Sequence, residues 1–371
     1  MTLNKKYKSV VAQAVVDDGQ RPLLPGYESV RTILNNERLS RLPRLPKNLD
    51  DVKIEGEWAE TCDGETFLMP NSTNDLLIFS TNSNLQRLSE CNTIYVDGTF
   101  KTCPKLYAQV YTIHGLYHGW IIPLVYALLT DKTSATYYKF FNRVREAMAG
   151  LRLVFNPSKI MSDFESGLIE TVKLVFPSVN HLGCHFHFAQ SIWRKVQDLG
   201  LVVDYKENAV IRAFIQRCIA LAFIPLAEVE DMFMDMEISL TATDNDRLRR
   251  FISYFRSTWL NGIFAVSMWN KYGNDHYHRT NNAMESWHAE LKKCLTVHPN
   301  IFVFIHGLKI CQASTKVAIS KAEAGASPPK RKLKYVKLEE KIQKAFDKHV
   351  SGEIDSGRLL RIVQYSVNLT K

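Results

Sequence analysis

The chain has little of what marks a secreted or membrane-spanning protein. Its seven cysteines, an odd number, are scattered over 371 residues. The first ten residues, MTLNKKYKSV, are polar and basic and lack the apolar stretch of a secretory signal. The longest strongly apolar run, Trp120 to Leu129, is far shorter than the ~18 residues of a membrane helix. We therefore expect a protein of a reducing compartment with no membrane partner, most of whose thiols act as small core residues.

No sequence repeat with a period of 20 to 50 residues is visible either, which argues against a solenoid or propeller. Hydrophobic residues make up 46% of the chain and charged residues 23%, as expected for a folded protein. Lys and Arg total 47 against 38 Asp and Glu, which gives a net charge of +9. This excess favours a polyanionic partner, with nucleic acid ahead of an anionic membrane.

The first half of the chain reads as irregular sequence followed by strands. Residues 1–50 contain prolines and turn formers without a sustained period, and 52–81 contain short strand-like stretches such as DLLIFST. The central pattern is a strand ending in Asp97-Gly98, a hairpin with a long turn, and alternating helices and strands. The predicted bounds are strands at 106–114, 120–130, 159–161 and 179–183, and helices at 134–151 and 167–176. This order predicts a mixed α/β sheet of five strands with helices on its faces.

The second half is helical in pattern. Residues 189–269 have helical periodicity throughout, and a further helix is predicted over 283–295. The C-terminal third is also helical, with an interruption at 325–329. The basic run Lys330 to Lys334 follows this break. It has the composition of a nuclear-import signal or a phosphate-contacting patch, and it is equally compatible with a solvated helix start.

Three carboxylates occupy places that suit metal-dependent phosphodiester chemistry. Asp97 lies on one predicted strand, Asp163 just after another, and Glu285 on a helix. Such chemistry uses two divalent ions roughly 4 Å apart, held by oxygen ligands on rigid elements. Each residue also has a structural alternative. Asp97-Gly98 is a common turn pair, while Ser162 with Glu165, and Asn282 with Glu285, have the spacing of a helix capping box.

Six segments resemble, in order, the Mutator-like (MULE) transposase family, and especially the branch that often carries a FLYWCH zinc finger. They are YVDGTFK (95–101), YTIHG (111–115), PLVYALL (123–129), MSDFE (161–165), GCHFH (183–187) and TNNAMESWH (280–288). The resemblance covers about residues 50 to 300. It implies a DDE-type transposase with an RNase H-like fold. It also implies that Asp97, Asp163 and Glu285 are the catalytic and metal-binding acids, with two Mg²⁺ or Mn²⁺ ions.

The resemblance also maps a Cys-x₂-His pair onto Cys184 and His187. We expect His187 to lie near the scissile phosphate as a hydrogen-bond donor. The alternatives are a buried thiol with a core histidine, or zinc binding. Zinc is not expected, because a closed zinc site needs a second ligand pair that the sequence does not show. Candidate DNA-contacting residues around the acids are Lys101, Arg279, His288, Lys292 and Lys293, whereas Trp287 falls on an apolar helix face and is expected in the core.

The predicted organisation has six parts. They are an irregular lead-in (1–50), a small strand-rich subdomain (51–90), the first part of an RNase H-like core (91–188), an all-helical insertion between the second and third acids (189–275), the closing helix of the core (276–300) and a helical basic region (301–371). No FLYWCH-like finger is found before residue 50 and no Cys/His cluster after residue 300. Recognition of element ends is therefore expected to reside in the helical insertion, in a lost finger or in a longer parent protein.

The predicted function is DNA cleavage at transposon ends and transfer of the freed strand to target DNA. Transposon terminal repeats and target DNA would be the partners, a homodimer or larger complex the assembly, and the nucleus the location. One alternative is a domesticated transposase that binds DNA and regulates transcription without cutting. Another is a nuclease acting on RNA–DNA hybrids, which the helical segment and the Cys-x₂-His pair disfavour.

Overall fold

A six-stranded mixed sheet forms the centre of the protein. The structure is a computed structural model that describes residues 42–273, 282–330 and 333–365, and three isolated earlier positions. The strand order across the sheet is β1-β4-β3-β2-β5-β6. The strands are β1 (Leu76–Phe79), β2 (Thr93–Thr99), β3 (Gln109–Tyr117), β4 (Trp120–Leu129), β5 (Lys159–Ser162) and β6 (Asn180–Gly183).

The sheet has one strand more than the five predicted. β1 pairs antiparallel with β4, with Leu76 opposite Leu129. All four β1 residues are buried. Ile78 packs in one core cluster, and Leu77 and Phe79 in another, so the strand is covered on both faces. Polar and apolar residues do not alternate along such a strand, so the sequence predicts a strand here without indicating which sheet it joins.

The hairpin of β3 and β4 is tighter than predicted. β3 runs three residues past the expected end at His114, and Tyr117 pairs with Trp120. Only His118 and Gly119 form the loop, with φ of 46° and 79°. Two residues with positive φ are the requirement of a type I′ turn, whose twist matches that of the flanking strands. The predicted long turn is therefore wrong, because its first residues continue the strand.

The other half of the sheet is parallel. β2 pairs with β5 and β5 with β6, each parallel. The connections that parallel neighbours require are made by α2 (Ser134–Gly150) and α3 (Ser166–Val175). The side chain of Thr133 caps α2, accepting a hydrogen bond from the amide of Thr136 (3.3 Å). The buried residues of α2 recur at helical spacing: Tyr137, Phe140, Phe141, Val144 and Met148.

Helices cover both faces of the sheet. On one face α1 (Asn82–Glu90), α2 and α3 share a core with residues such as Ile94 and Val96 of β2. On the other face lie α10 (Asn282–Cys294) and the first half of α11 (Ile301–Glu323). Met284 of α10 packs against Tyr95 and Met161 on that face. Hence alternate residues of β2 point to opposite layers, and the odd-numbered ones face α10.

A separate helical core lies beside the sheet. It is formed by the helices between β6 and residue 269, together with the last two helices described, α12 and α13. Their bounds are α4 (His185–Asp198), α5 (Val202–Glu207), α6 (Ala209–Ala220), α7 (Val229–Ile238), α8 (Ala242–Phe255), α9 (Val266–Trp269), α12 (Leu333–Val350) and α13 (Ser356–Gln364). The division into six parts stays a prediction, and most of the lead-in lies outside the described residues.

No helix in the described ranges combines the length and the apolar character that spanning a membrane requires. In the basic run 330–334, residues 331 and 332 and the side chain of residue 334 lie outside the described part.

Candidate active site

Asp97 and Asp163 lie side by side on one face of the sheet. Tyr95 of β2 is in register with Met161 of β5, so two residues further on Asp97 lies next to Asp163. Adjacent strands are about 4.8 Å apart, and residues two apart on a strand point to the same face. Tyr95 and Met161 both contact Met284 of α10. The two acids therefore point to the face that α10 covers.

Asp97 and Gly98 are part of the strand and do not form a turn. They pair with Thr112 and Tyr111 of β3, respectively. The Asp97 carboxylate is buried, and its Oδ1 accepts a hydrogen bond from the amide of Gly98 (2.9 Å). A Cβ at position 98 would lie 2.4 Å from Oε1 of Gln109. A side chain at position 98 would therefore displace the Gln109 amide. Because both residues pair within the sheet, the turn alternative is wrong.

Ser162 and Glu165 do not form a capping box. Ser162 ends β5, where its hydroxyl donates to the carbonyl of Asp163 (2.7 Å) and contacts Nε2 of His181 (2.8 Å). Glu165 precedes α3 and makes no side-chain cap. Its carboxylate accepts a hydrogen bond from the Tyr137 hydroxyl and forms an ion pair with Lys132. Both residues are used to build the surroundings of Asp163.

The Asp163 carboxyl is held in an unfavourable place for a negative charge. Its pKa is raised well above the ordinary value, first by removal from water and then by the nearby carboxylates of Glu165 and Asp97. The Lys132 ammonium opposes this effect. Three acidic side chains sharing a poorly hydrated pocket are stabilised in their charged forms by a cation. Carboxylate oxygens are the donor type that hard divalent ions prefer.

The helix α10 brings a histidine to Asp97. Nδ1 of His288 lies 3.8 Å from Oδ2 of Asp97, and both side chains are buried. Burial lowers the pKa of His288 to about 4, with further lowering by Lys292 and His187. The imidazole is therefore neutral at pH 7, and the contact with Asp97 is not an ion pair. His288 is thus a buried, uncharged group next to Asp97.

Glu285 lies on the same helix, three residues before His288. Residues three apart on a helix lie on neighbouring positions of one face. The side chain of Glu285 is outside the described part of the chain. Among the side chains that are described, no three His, Cys, Asp or Glu residues form a group that could hold a metal. The metal set therefore stays a prediction that needs Glu285 for its third ligand.

The Cys184 and His187 pair lies close to the acids. Cys184 is fully buried just before α4, and its amide donates to the carbonyl of Ser162 (2.7 Å). His187 lies in the first turn of α4. Burial lowers the pKa of His187, as does Arg194, whereas the charge of Glu165 raises it. His187 also lowers the pKa of His288, so the two imidazoles lie near each other.

Of the remaining candidate residues for DNA contact, the lysines lie on the surface, and the neighbouring Trp287 lies in the core. Lys101, Lys292 and Lys293 are exposed, as a DNA contact requires, and Arg279 lies outside the described residues. Trp287 is buried, as predicted. It stacks on Tyr126 with ring centroids 5.5 Å apart and meets His114 edge-on at 5.4 Å.

Sequence reasoning missed several residues of the pocket. Lys132 and Tyr137 meet Glu165 only through the tertiary fold, and nothing in their sequence context indicates it. Glu165, two residues after Asp163, was interpreted as a cap. His114 of β3 is buried opposite Tyr95, and neither ring nitrogen has a hydrogen-bond partner among the described residues. Its pKa lies well below the usual value because of burial and then of His288. A lone buried histidine gives no signal in the sequence.

Residues 93–191 match the family model of the MULE transposase domain. The resemblance to this family is confirmed. The match covers roughly a quarter of the chain, from β2 to the middle of α4. It includes Asp97, Asp163, Cys184 and His187 but ends before Glu285. A search of curated proteins gives no match. The link to the FLYWCH-bearing branch stays a prediction.

Proposed function

We propose that the chain is the catalytic core of a DDE-type DNA transposase that cuts at transposon ends and joins them to target DNA. One observation supports this most strongly. Asp97, on β2, and Asp163, the residue directly after β5, lie next to each other inside the segment that matches the MULE transposase domain. Two carboxylates fixed by neighbouring parallel strands are the rigid oxygen donors that metal-dependent phosphodiester chemistry uses.

The fold we propose is RNase H-like. Three antiparallel strands followed by two parallel strands, with a helix before each of the latter, support this assignment. In this proposal, 189–275 is a helical insertion between the second and third acids. The segment 276–300, which contains α10, would then close the core and bring Glu285 to the side of the sheet that Asp97 faces.

Asp97, Asp163 and Glu285 would hold two Mg²⁺ or Mn²⁺ ions. When bound, such ions lower the pKa of a water nucleophile and stabilise the attacking and leaving oxygens of an in-line displacement. The protein's own residues orient the ligands. Gly98 donates its amide to Asp97, and His288 contacts the other oxygen of the same carboxylate. Lys132 and Tyr137 hold Glu165 beside Asp163.

Several further groups are placed to bind the DNA. His187, at the edge of the pocket, is assigned as a hydrogen-bond donor to the scissile phosphate. The exposed Lys101, Lys292 and Lys293, with Arg279, would contact the phosphate backbone around the acids. Two transposon ends must be processed together, so we propose a dimer or larger assembly on DNA, acting in the nucleus.

The test is metal-dependent nicking and strand transfer on DNA that carries the terminal repeats flanking the gene. Asp97→Asn and Asp163→Asn should each reduce the nicking rate by about a thousandfold, the effect of losing several kcal/mol of transition-state stabilisation. Asp198→Asn, an exposed carboxylate at the end of α4, serves as the control and should cut normally. Full activity in both active-site variants would show that the assignment is wrong. A wild-type protein that binds these ends and never cuts them would instead be a non-cutting regulator.

A further inference from the structure

A lysine-rich face runs along α12, far along the chain from the acids. Lys337, Lys341 and Lys344 follow one another at helical spacings of four and three residues and are all exposed. Residues at these spacings share one side of a helix. The opposite side, with Ile342, is buried in the helical core. The three lysines span about 10 Å along the helix axis.

The helix α13 adds two arginines to this face. Arg358 and Arg361 are exposed and lie three residues apart on α13, which packs against α12 in the helical core. Together with Lys341 they line a cavity of about 260 Å³. Ile362 and Tyr365 also line it, and none of its lining residues in the described part of the chain is acidic. We call Lys337, Lys341, Lys344, Arg358 and Arg361 the C-terminal basic face.

Some cations elsewhere in the protein are paired with a neighbouring carboxylate. Arg247 pairs with Asp204 (2.9 Å) and Lys316 with Asp63 (2.6 Å). By contrast, no carboxylate within the described ranges forms an ion pair with Lys341, Arg358 or Arg361. Three like charges around one cavity repel each other, and a bound polyanion would remove this repulsion.

We propose that the C-terminal basic face binds the phosphate backbone of duplex DNA, outside the acid pocket. This inference rests on the proposed function, in which DNA is the substrate. A length of about 10 Å corresponds to about three successive phosphates of one strand, which rise 3.4 Å each. Guanidinium groups suit phosphate oxygens because they donate two parallel hydrogen bonds. A charged face without base-reading elements binds all sequences alike.

An anionic membrane is the other polyanion that such a face could meet. Interfacial helices insert an apolar face into the lipid beside their basic residues. In α12 and α13 the apolar faces, with Phe346 and Leu360, are already buried in the helical core. The structure therefore favours DNA over a lipid surface.

The experiment measures binding of the full chain to a labelled 40-base-pair duplex at several salt concentrations. The variant combines Lys341→Gln, Arg358→Gln and Arg361→Gln. The matched control combines Lys53→Gln, Lys173→Gln and Lys321→Gln, which are exposed positions outside the C-terminal basic face and give the same change in net charge. Each lost phosphate contact should make the slope of log affinity against log salt less steep by about 0.9.

For the variant that combines Lys341→Gln, Arg358→Gln and Arg361→Gln, we expect the slope to be less steep by about two to three on any duplex sequence. For the control, we expect the slope to change by less than about one. Equal slopes for the two variants would overturn the proposal, as would a wild-type protein that does not bind duplex DNA. Loss of binding to phosphatidylserine vesicles with unchanged DNA binding would also overturn it. The readout does not depend on cutting. A protein that never nicks DNA but shows the slope change refutes the catalytic proposal alone.

Discussion

At the scale of single residues, ionisation of Asp163 matters most for the stability of the fold. Removal of its carboxyl from water and two further carboxylates raise its pKa, and the Lys132 ammonium and a backbone hydrogen bond offset them only in part. Without a metal ion, ionisation of Asp163 therefore opposes folding. On the proposed function, a divalent ion at these carboxylates would offset this cost.

This gives a stability prediction for Asp163→Asn. A carboxyl whose pKa is raised by folding binds more protons in the folded state, so its contribution to stability falls as pH rises from about 4. In EDTA at pH 7 the variant should therefore unfold at a higher temperature than wild type. We expect a gain of about 2 °C, corresponding to about 1 kcal/mol. The gain should vanish below about pH 3, where the Asp163 carboxyl is protonated in both the folded and the unfolded state.

Thermal unfolding followed by circular dichroism measures this effect. Mn²⁺ should raise the Tm of the wild type, because it binds only the folded state, and should raise that of the variant less. Asp198→Asn, which alters an exposed carboxylate, should change neither value. A lower Tm of Asp163→Asn in EDTA would contradict the electrostatic account.

A second prediction concerns Glu165, which the sequence did not assign to the site. Glu165→Gln removes a negative charge beside Asp163 and the partner of Lys132. We expect Mn²⁺ binding to weaken by about tenfold, as is usual when a group supporting the ligands is lost. Isothermal titration calorimetry measures the affinity. Glu170→Gln, an exposed position on α3, is the control, and equal affinity in both variants would show that Glu165 does not act on the ion.

The sequence indicated Asp97 and Asp163 because each follows a recognisable strand and lies in a family-like motif. It could not indicate that Lys132 and Tyr137 converge on Glu165, because that contact depends on how α2 and α3 pack. The environment of His288 was missed for the same reason. Its ring was expected at a DNA-facing surface, and the structure places it in the interior next to Asp97.

At the scale of elements, the close approach of β6 to the loop after β5 fixes the position of Asp163. A Cβ at Gly183 would lie 2.2 Å from the ring of Phe164. That ring cannot move away easily, because it packs edge-on against Trp259 (4.9 Å) and Phe264 (5.3 Å). Phe164 separates Asp163 from Glu165 in the chain, so any displacement of the ring moves both acids.

We therefore predict that Gly183→Ala destabilises the protein by about 1–3 kcal/mol, the usual effect of overpacking a core. It should also lower the metal-dependent nicking rate. Urea denaturation followed by fluorescence measures the stability. Gly150→Ala at the end of α2, where a Cβ meets no atom within 4 Å, should change the free energy of unfolding by less than about 1 kcal/mol. Similar losses in the two variants would contradict the packing argument.

Most elements of the sheet could be predicted from the sequence, but their pairing could not. The periodicity of α2 and the strand-like runs at β4 and β5 gave bounds within about two residues. By contrast, β1 is buried on both faces, and its sequence gives no indication of a partner. The extension of β3 to Tyr117 depends on the positive φ of His118. A histidine in the sequence does not predict a positive φ, because non-glycine residues adopt it only uncommonly.

At the scale of the whole molecule, chain order and packing do not coincide. The last two described helices share a core with α4 to α9, although α10 and α11 separate them in the chain. Phe346 of α12 contacts Phe223, and Tyr272 bonds to His349 (2.8 Å). The C-terminal helices are thus an integral part of the helical core.

We predict that a protein ending at residue 330 will not fold correctly. It lacks six buried apolar side chains of the helical core: Ile342, Ala345, Phe346, Leu359, Leu360 and Val363. The exposed apolar surface should bind the dye ANS and cause aggregation. Soluble yield and ANS fluorescence measure this, with a protein ending at Tyr365 as the control. A soluble shortened protein that unfolds cooperatively and binds no ANS would contradict the shared core.

The parallel pairing of β2 with β5 also has a consequence for biosynthesis. The antiparallel hairpin of β3 and β4 can form from near neighbours in the chain. The acid pair, however, needs the whole crossover through α2 before β5 reaches β2. Such distant contacts form slowly. On the proposed function, a growing polypeptide on the ribosome therefore has no acid pair before β5 is made, and it cannot have the complete set of three acids before α10 has followed.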